Sequence, residues 1–262
     1  MIFVNLFLII NIFFLQETGM PPLQKTSCKE YLDEAKEARS NNERMLAISI
    51  LENGIQGQCA DSSIAYSELS IIYLELGDQS YSNRNNISSD ERVEYFTLAL
   101  EKANQAIQID PDNVNGYERK SMAFAGLLDV QGIKQKVQLA DSVRINAEIA
   151  LEIDPKNDRA LHILGRWHYE VSQFGGFMRF LARLFFGTAP EASYEQALEY
   201  FTKSAELQDF PVHHFWIGIT HLKLSNDRSA KKHFEHLLTL ENQHHNDQFF
   251  KDQATKELEK LK

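Results

Sequence analysis

Ala106-Ile-Gln-Ile-Asp-Pro-Asp-Asn113 returns 44 residues later as Ala150-Leu-Glu-Ile-Asp-Pro-Lys-Asn157. Each copy closes a helical pattern, turns at Asp-Pro and leads into a new helix around Tyr117 or Leu161. Proline cannot continue the first helix, because it lacks an N–H and clashes with the preceding turn, but it starts a turn well. Self-similarity at 20–50 residues is the signature of a solenoid.

A second register, made of small residues, runs through the same chain. In a helical hairpin, a small side chain on helix A facing one on helix B lets the backbones approach. Ala35 pairs in this way with Ala47 and Gly218 with Ala230, 12 residues apart in both cases. Leu51 and Phe234 follow the second small residue by four. Three looser copies lie between: Ser70 with Ala99, Ser121 with Val143, and Gly165 with Ala197. Their separations of 29, 22 and 32 imply insertions of 17, 10 and 20 residues between helices A and B. A period of about 34 plus the 10-residue insertion reproduces the 44-residue offset of the Asp-Pro turns, so the two registers agree.

This pattern resembles the tetratricopeptide repeat, in five copies over about Lys29 to Leu238. Tyr66, Leu69, Tyr73 and Leu76-Gly77 fit helix A of the second copy. Leu161, Leu164 and Gly165, followed by Ala197, Phe201 and Ser204, fit the fourth, and Ile217, Gly218, Ala230 and Phe234 the fifth. Asn246 to Lys262 is polar, with Phe249, Phe250, Ala254, Leu258 and Leu261 at helical spacing, as a cap on the open end requires. The expected fold is all-α: a helical-hairpin solenoid over residues 28–262, with insertions and a C-terminal cap helix.

Composition agrees. Twelve Gly and six Pro make 18 of 262 residues, or 7%, against an average near 12%. A turn-rich sandwich or barrel, collagen and a disordered chain are excluded, and 43% hydrophobic residues supply a core. The formal net charge of −10 argues against a nucleic-acid partner, since neutralising phosphates needs clustered Lys and Arg.

The N-terminal residues 1–19 stand apart. Ile2 to Leu15 is apolar except for Asn5 and Asn11, too short for a comfortable span of about 20 residues. It suits a cleaved signal peptide processed near Gly19, or a short membrane anchor, although no Lys or Arg precedes Lys25. Cys28 would open the first helix and Cys59 follow the second, so a hairpin places both at one end, where a disulfide is feasible. Two separate buried thiols are the alternative. A signal and a bonded pair together predict a secreted, periplasmic or otherwise extracytoplasmic protein; an anchor predicts a membrane-attached one.

The segment Leu164-Gly-Arg-Trp-His-Tyr-Glu-Val171, then Leu184-Phe-Phe-Gly-Thr-Ala-Pro190 and Tyr194-Glu-Gln-Ala-Leu198, resembles the regulator of microtubule dynamics family. Ala189 stands where that family's pattern carries a first proline. The resemblance is dense over residues 160–207. It implies a tetratricopeptide-like fold and association with cytoskeleton or organelle membranes.

Residues 159–187 hold Arg159, Arg166, Arg179 and Arg183 against Glu170, a local charge of +3 in an acidic chain. Phe174 to Gly187 is apolar on nearly all faces except at its arginines, with Gly175-Gly176 as a hinge. It either folds back as core or docks a partner helix or a membrane surface. Arg166, Trp167, Tyr169, Phe177, Arg179, Arg183 and Phe186 are therefore the candidate partner-binding residues, with Glu170 or Glu195 as the carboxylate for a buried arginine. The stretch from Ser80 to Asp90 is rich in Ser and Asn and is expected to be a flexible loop; Asn86-Ile-Ser88 matches a glycosylation acceptor.

No chemistry is visible. All nine histidines lie from His162 onward, with His213-His214 and His244-His245 adjacent and His233 and His236 three apart. No zinc-protease motif, phosphate loop or nucleophile elbow accompanies them, and no carboxylate stands at metal-ligand spacing. The sequence predicts a non-catalytic interaction scaffold for a protein or peptide, with no cofactor, no metal and no nucleic acid.

Overall fold

The computed structural model describes residues 25–78, 87–130, 133–175, 183, 191–244 and 246–262, the side chains of 133–138 excepted. Eleven helices and no strand lie among the described residues. They pair as α1 (Cys28–Ser40) with α2 (Arg44–Ile55), α3 (Ser63–Asp78) with α4 (Ser89–Ile109), and α5 (Val114–Val130) with α6 (Ile133–Ile153). The fourth and fifth hairpins are α7 (Asp158–Ser172) with α8 (Tyr194–Leu207) and α9 (Pro211–Lys223) with α10 (Asp227–Thr239). Helix α11 (Asp247–Lys260) packs on the last pair.

The small-residue register is visible in atomic contacts. Ser70 Oγ donates to the Ala99 carbonyl at 2.7 Å, and Ser121 Oγ to the Val143 carbonyl at 2.6 Å. In these two hairpins the helices approach until a hydroxyl reaches across to the partner backbone. In the fourth and fifth, glycine makes the same approach possible and an aromatic ring fills the space. A Cβ on Gly165 would stand 2.6 Å from Phe201, and one on Gly218 2.4 Å from Phe234. Volumes compensate across the stack. Glycine on helix A goes with Phe201 or Phe234 on helix B, Ala35 with Leu51, and Ser70 or Ser121 with Ala103 or Ala147, all of these helix B residues buried. Interiors packed to crystal density leave no other solution.

Hairpins one and five, which carry no insertion, share one turn. Asn42 and Ser225 take φ of 67° and 56°, each five residues before the buried Ala47 or Ala230. The following N–H groups, of Glu43 and Asn226, return to the carbonyls of Ala38 and His221 at 2.9 Å, the six-to-one bond of a Schellman cap. At both Asp-Pro turns the aspartate accepts from the N–H two residues on, Asp110 from Asp112 at 3.1 Å and Asp154 from Lys156 at 3.0 Å. Asn113 and Asn157 then accept from Gly116 and Ala160. These caps start α5 and α7 at Val114 and Asp158, three residues earlier than hydrophobic periodicity places them.

The insertions differ from the expected loops. Ser88, Ser89 and Asp90 are not loop but the cap and first turn of α4. Ser88 and Glu91 form a capping box, with Glu91 N to Ser88 Oγ at 3.1 Å and Ser88 N to Glu91 Oε2 at 2.7 Å. Helices α4 and α6 each run 21 residues, so much of the first two insertions is spent as extra helical turns. Residues 79–86, including the glycosylation motif's Asn86, lie outside the described residues. So do the N-terminal apolar run and most of 174–190. Among the described residues no helix is long and apolar enough to cross a membrane.

Cys28 and Cys59 are joined by a disulfide, with Cα atoms 4.9 Å apart, where the start of α1 meets the turn after α2. At the other end, Phe250 and Ala254 of α11 are buried on Phe215, Phe234 and Leu237. Asn246, at the start of α11, reaches Asp78 at the end of α3, Nδ2 to Oδ2 3.3 Å, across 168 residues of sequence.

Candidate functional site

The A helices (α1, α3, α5, α7, α9) lie side by side and carry polar side chains in a sequence that alternates sign. Arg39 of α1 places Nη2 2.5 Å from Glu75 Oε1 and Nη1 3.3 Å from Glu68 Oε2, both on α3. Arg44 Nε reaches the other Glu75 oxygen at 3.0 Å. Burial alone would raise the Glu75 carboxyl, but hydrogen bonds and charge from Arg39 and Arg44 hold it below the usual range. On α5, Glu118 and Arg119 are buried and bonded to each other. Glu118 also accepts from Asn157 Nδ2 at 2.9 Å and faces Arg159 at 3.5 Å. Burial lowers the Arg119 pKa, and its Nε is excluded from solvent without a hydrogen-bond partner.

On α7 the predicted segment divides in two. Trp167 is 6% exposed, packed with Val143 and Val171, and its indole N–H donates to the Ala140 carbonyl at 2.8 Å. Tyr169 is likewise 6% exposed, among Ala197, Phe201 and Ile217. Both residues, expected at a partner surface, are thus buried against the neighbouring hairpins. Arg166 lies on the side of Tyr169, whose ring also meets Trp216, and away from Trp167. Its guanidinium lies 3.7 Å over the Trp216 ring of α9, and Nη2 reaches Glu170 at 3.2 Å. Arg183 is exposed, while Phe177, Arg179 and Phe186 lie outside the described residues.

Arg166 Nε and Trp216 Nε1 are excluded from solvent and make no hydrogen bond, and the same holds for Asn246 Oδ1. Asp78 links the two ends of this patch: it accepts from Asn246 and feels the charges of Arg92 and Arg166. Burial nevertheless pushes its carboxyl up to about 7. The partly exposed Arg166 guanidinium on the partly exposed Trp216 ring forms a surface able to hold a peptide carboxylate.

Six of the nine histidines gather into two clusters that no local spacing announces. In the first, His213 Nδ1 lies 2.9 Å from His162 Nδ1 and 3.1 Å from Ser204 Oγ, and His213 Nε2 lies 3.8 Å from Asp158. Burial holds the His162 pKa well below its ordinary value. The Ser-His-Asp resemblance is geometric only. Ser204 is fully buried and donates to the Asp158 carbonyl at 2.8 Å, so no substrate reaches it. In the second cluster, His214 Nε2 lies 2.5 Å from Asp209 Oδ1, and His236 Nε2 lies 3.2 and 3.3 Å from the two Asp209 oxygens. His214 Nδ1 faces His233 Nδ1 at 2.9 Å, and the His233 and His221 rings stack. Asp209, His214 and His236 are the group among the described residues able to hold a metal ion, their ligand atoms all within 4.8 Å of one another. Sequence spacing missed it because Asp209 and His236 are 27 residues apart and meet only when α10 folds back on α9.

The family model described as "Regulator of microtubule dynamics protein 1-3" matches residues 31–262. Regulator of microtubule dynamics protein 1 of Homo sapiens is 28% identical over 145 residues, 55% of this chain and 46% of that protein. Regulator of microtubule dynamics protein 3 of Xenopus laevis is 28% identical over 131 residues, 49% of this chain and 28% of its own length. The chain thus spans less than half the length of these curated relatives. A thermophilic TPR protein of Thermus thermophilus superposes with a TM-score of 0.62 at 14% identity, covering 88% of this chain and 99% of its own. PilF of Pseudomonas aeruginosa gives 0.56 at 13%, covering 88% and 84%. These two likenesses are of fold.

Proposed function

Since this chain belongs to the regulator of microtubule dynamics protein 1-3 family, we propose that it is a non-catalytic scaffold that holds a peptide or partner helix against its A helices. One observation carries this reading: the Arg166 guanidinium, its side chain 32% exposed, lies 3.7 Å over the partly exposed Trp216 ring, so a cation on an aromatic platform is open to a partner. A partner carboxylate bonded to that guanidinium gains about 1.5–3 kcal/mol, the range for hydrogen bonds to charged groups. Aromatic and arginine side chains with this geometry are the residue types that dominate interface energetics.

The test is selection of ligands from a random peptide library on the full chain, followed by affinity measurements on Arg166→Glu and Trp216→Ala. The expected result is enrichment of peptides bearing a carboxylate, binding to each variant at least about tenfold more weakly, with helix content unchanged by circular dichroism. Selected peptides that bind both variants as well as the parent would refute the assignment.

We also propose that the chain resides in an oxidising compartment. The Cys28–Cys59 bond supports this, because cytosolic thiols are kept reduced. Protein taken from its host under alkylating conditions should resist modification at both cysteines until it is reduced; immediate alkylation of both would refute the placement.

A further inference from the structure

We propose that Asp209, His214 and His236 form a binding site for one divalent transition-metal ion of the zinc class. The three ligands come from three elements: the turn between α8 and α9, helix α9, and helix α10. Zinc bonds of about 2.0–2.1 Å in tetrahedral array hold ligand atoms roughly 3.3 Å apart. His236 Nε2 already stands 3.2 and 3.3 Å from the Asp209 oxygens. The His214 Nε2 contact of 2.5 Å has only to open by about 0.8 Å as an ion replaces the shared proton. Asp209 and His236 are 54% and 45% exposed at their side chains, which leaves an entry path and room for water as a fourth ligand.

One further observation points the same way, the support behind His214. Metal-bound imidazoles normally engage the second ring nitrogen in a hydrogen bond that fixes the tautomer, and His214 Nδ1 does so with His233 Nδ1 at 2.9 Å. Two imidazoles with one carboxylate suit zinc and its neighbours in the first transition row rather than magnesium or calcium, which take oxygen ligands.

The experiment is calorimetric titration of zinc sulfate into the full untagged chain after metal stripping, alongside Asp209→Asn, His236→Ala and His233→Ala. One equivalent of zinc should bind the parent and raise its thermal midpoint. His233→Ala should weaken binding about 10–100-fold, and the two ligand variants by more. His236 is half exposed, so unchanged far-UV circular dichroism of His236→Ala separates lost ligation from lost fold. The absence of stoichiometric binding, or equal affinity in parent, Asp209→Asn and His236→Ala, would overturn the site.

Discussion

Gly165→Ala tests the packing rule on which the stack rests. The added Cβ would lie 2.6 Å from Phe201 Cδ1 and Cε1 and 3.0 Å from Cγ, whereas ordinary contact begins at 3.4 Å. The ring must therefore retreat by about 0.8 Å. It has nowhere to go: Phe201 is fully buried, with the Trp216 ring 6.1 Å away on one side and His162 at 5.2 Å on another. Two effects oppose each other. Alanine is better than glycine inside a helix by about 1 kcal/mol, while overpacking a closed core costs about 1–3 kcal/mol. At a site with no free volume the upper end applies, and the net loss is about 2 kcal/mol. Urea denaturation followed by far-UV circular dichroism measures it as a lower midpoint at unchanged slope. The decisive comparison is a double-mutant cycle with Phe201→Leu. That substitution costs stability alone, but it removes the ring that the new Cβ would strike. Gly165→Ala should then change sign and stabilise the Phe201→Leu background by up to about 1 kcal/mol. Gly57→Ala, where a Cβ meets nothing within 4 Å, should be close to neutral. Equal destabilisation by Gly165→Ala in both backgrounds, or a gain in the parent, would refute the close approach.

Asp78→Asn should flatten the pH dependence of stability. The folded-state pKa of about 7 lies above the ordinary 3.8, so the folded chain holds a proton that the unfolded chain has lost, and stability falls as pH rises through that window. The penalty is complete above pH 7 and amounts to at most about 4 kcal/mol. Urea midpoints at about pH 5 and pH 8 should therefore diverge in the parent and less in the variant; identical divergence would count against the buried charge. Cys28→Ser opens a loop spanning 31 residues and should cost about 3–4 kcal/mol in the chain-entropy model, read as a drop in midpoint that matches reduction of the parent. Glu118→Ala strands the buried Arg119 guanidinium and should cost about 3–5 kcal/mol by denaturation, with Glu118→Gln milder because it keeps an acceptor for Asn157.

Much of the fold could be read from the residues because repetition makes each element vouch for the others. Ser70 with Ala99 and Ser121 with Val143 were separable from chance only through their common period, and both pairs meet as hydrogen bonds. The loop expected over Ser80 to Asp90 failed at its end because Ser and Asp favour both turns and helix caps. What decides between them is Glu91 at the third position, which closes the capping box. The site was less legible. Arg166 and Trp167 are neighbours in sequence, and only the angular position of each on α7 tells which one packs and which one stacks on Trp216. Trp216 carried no signal, since its role depends on a contact between successive hairpins. Asp209 carried no signal either, since it meets His214 and His236 only through the packing of α9 and α10.

The contact between Asn246 and Asp78 changes what kind of object the stack is. A repeat array is usually quasi-one-dimensional: each unit feels only its neighbours, and the ends fray independently of the middle. Here the start of the last helix is bonded to the second hairpin, so information about one end is available near the other. Such a bond couples the start of α11 to the end of α3 beyond nearest neighbours. A deletion of α11 would then loosen not only the fifth hairpin but also the end of α3, far away along the chain and adjacent in space.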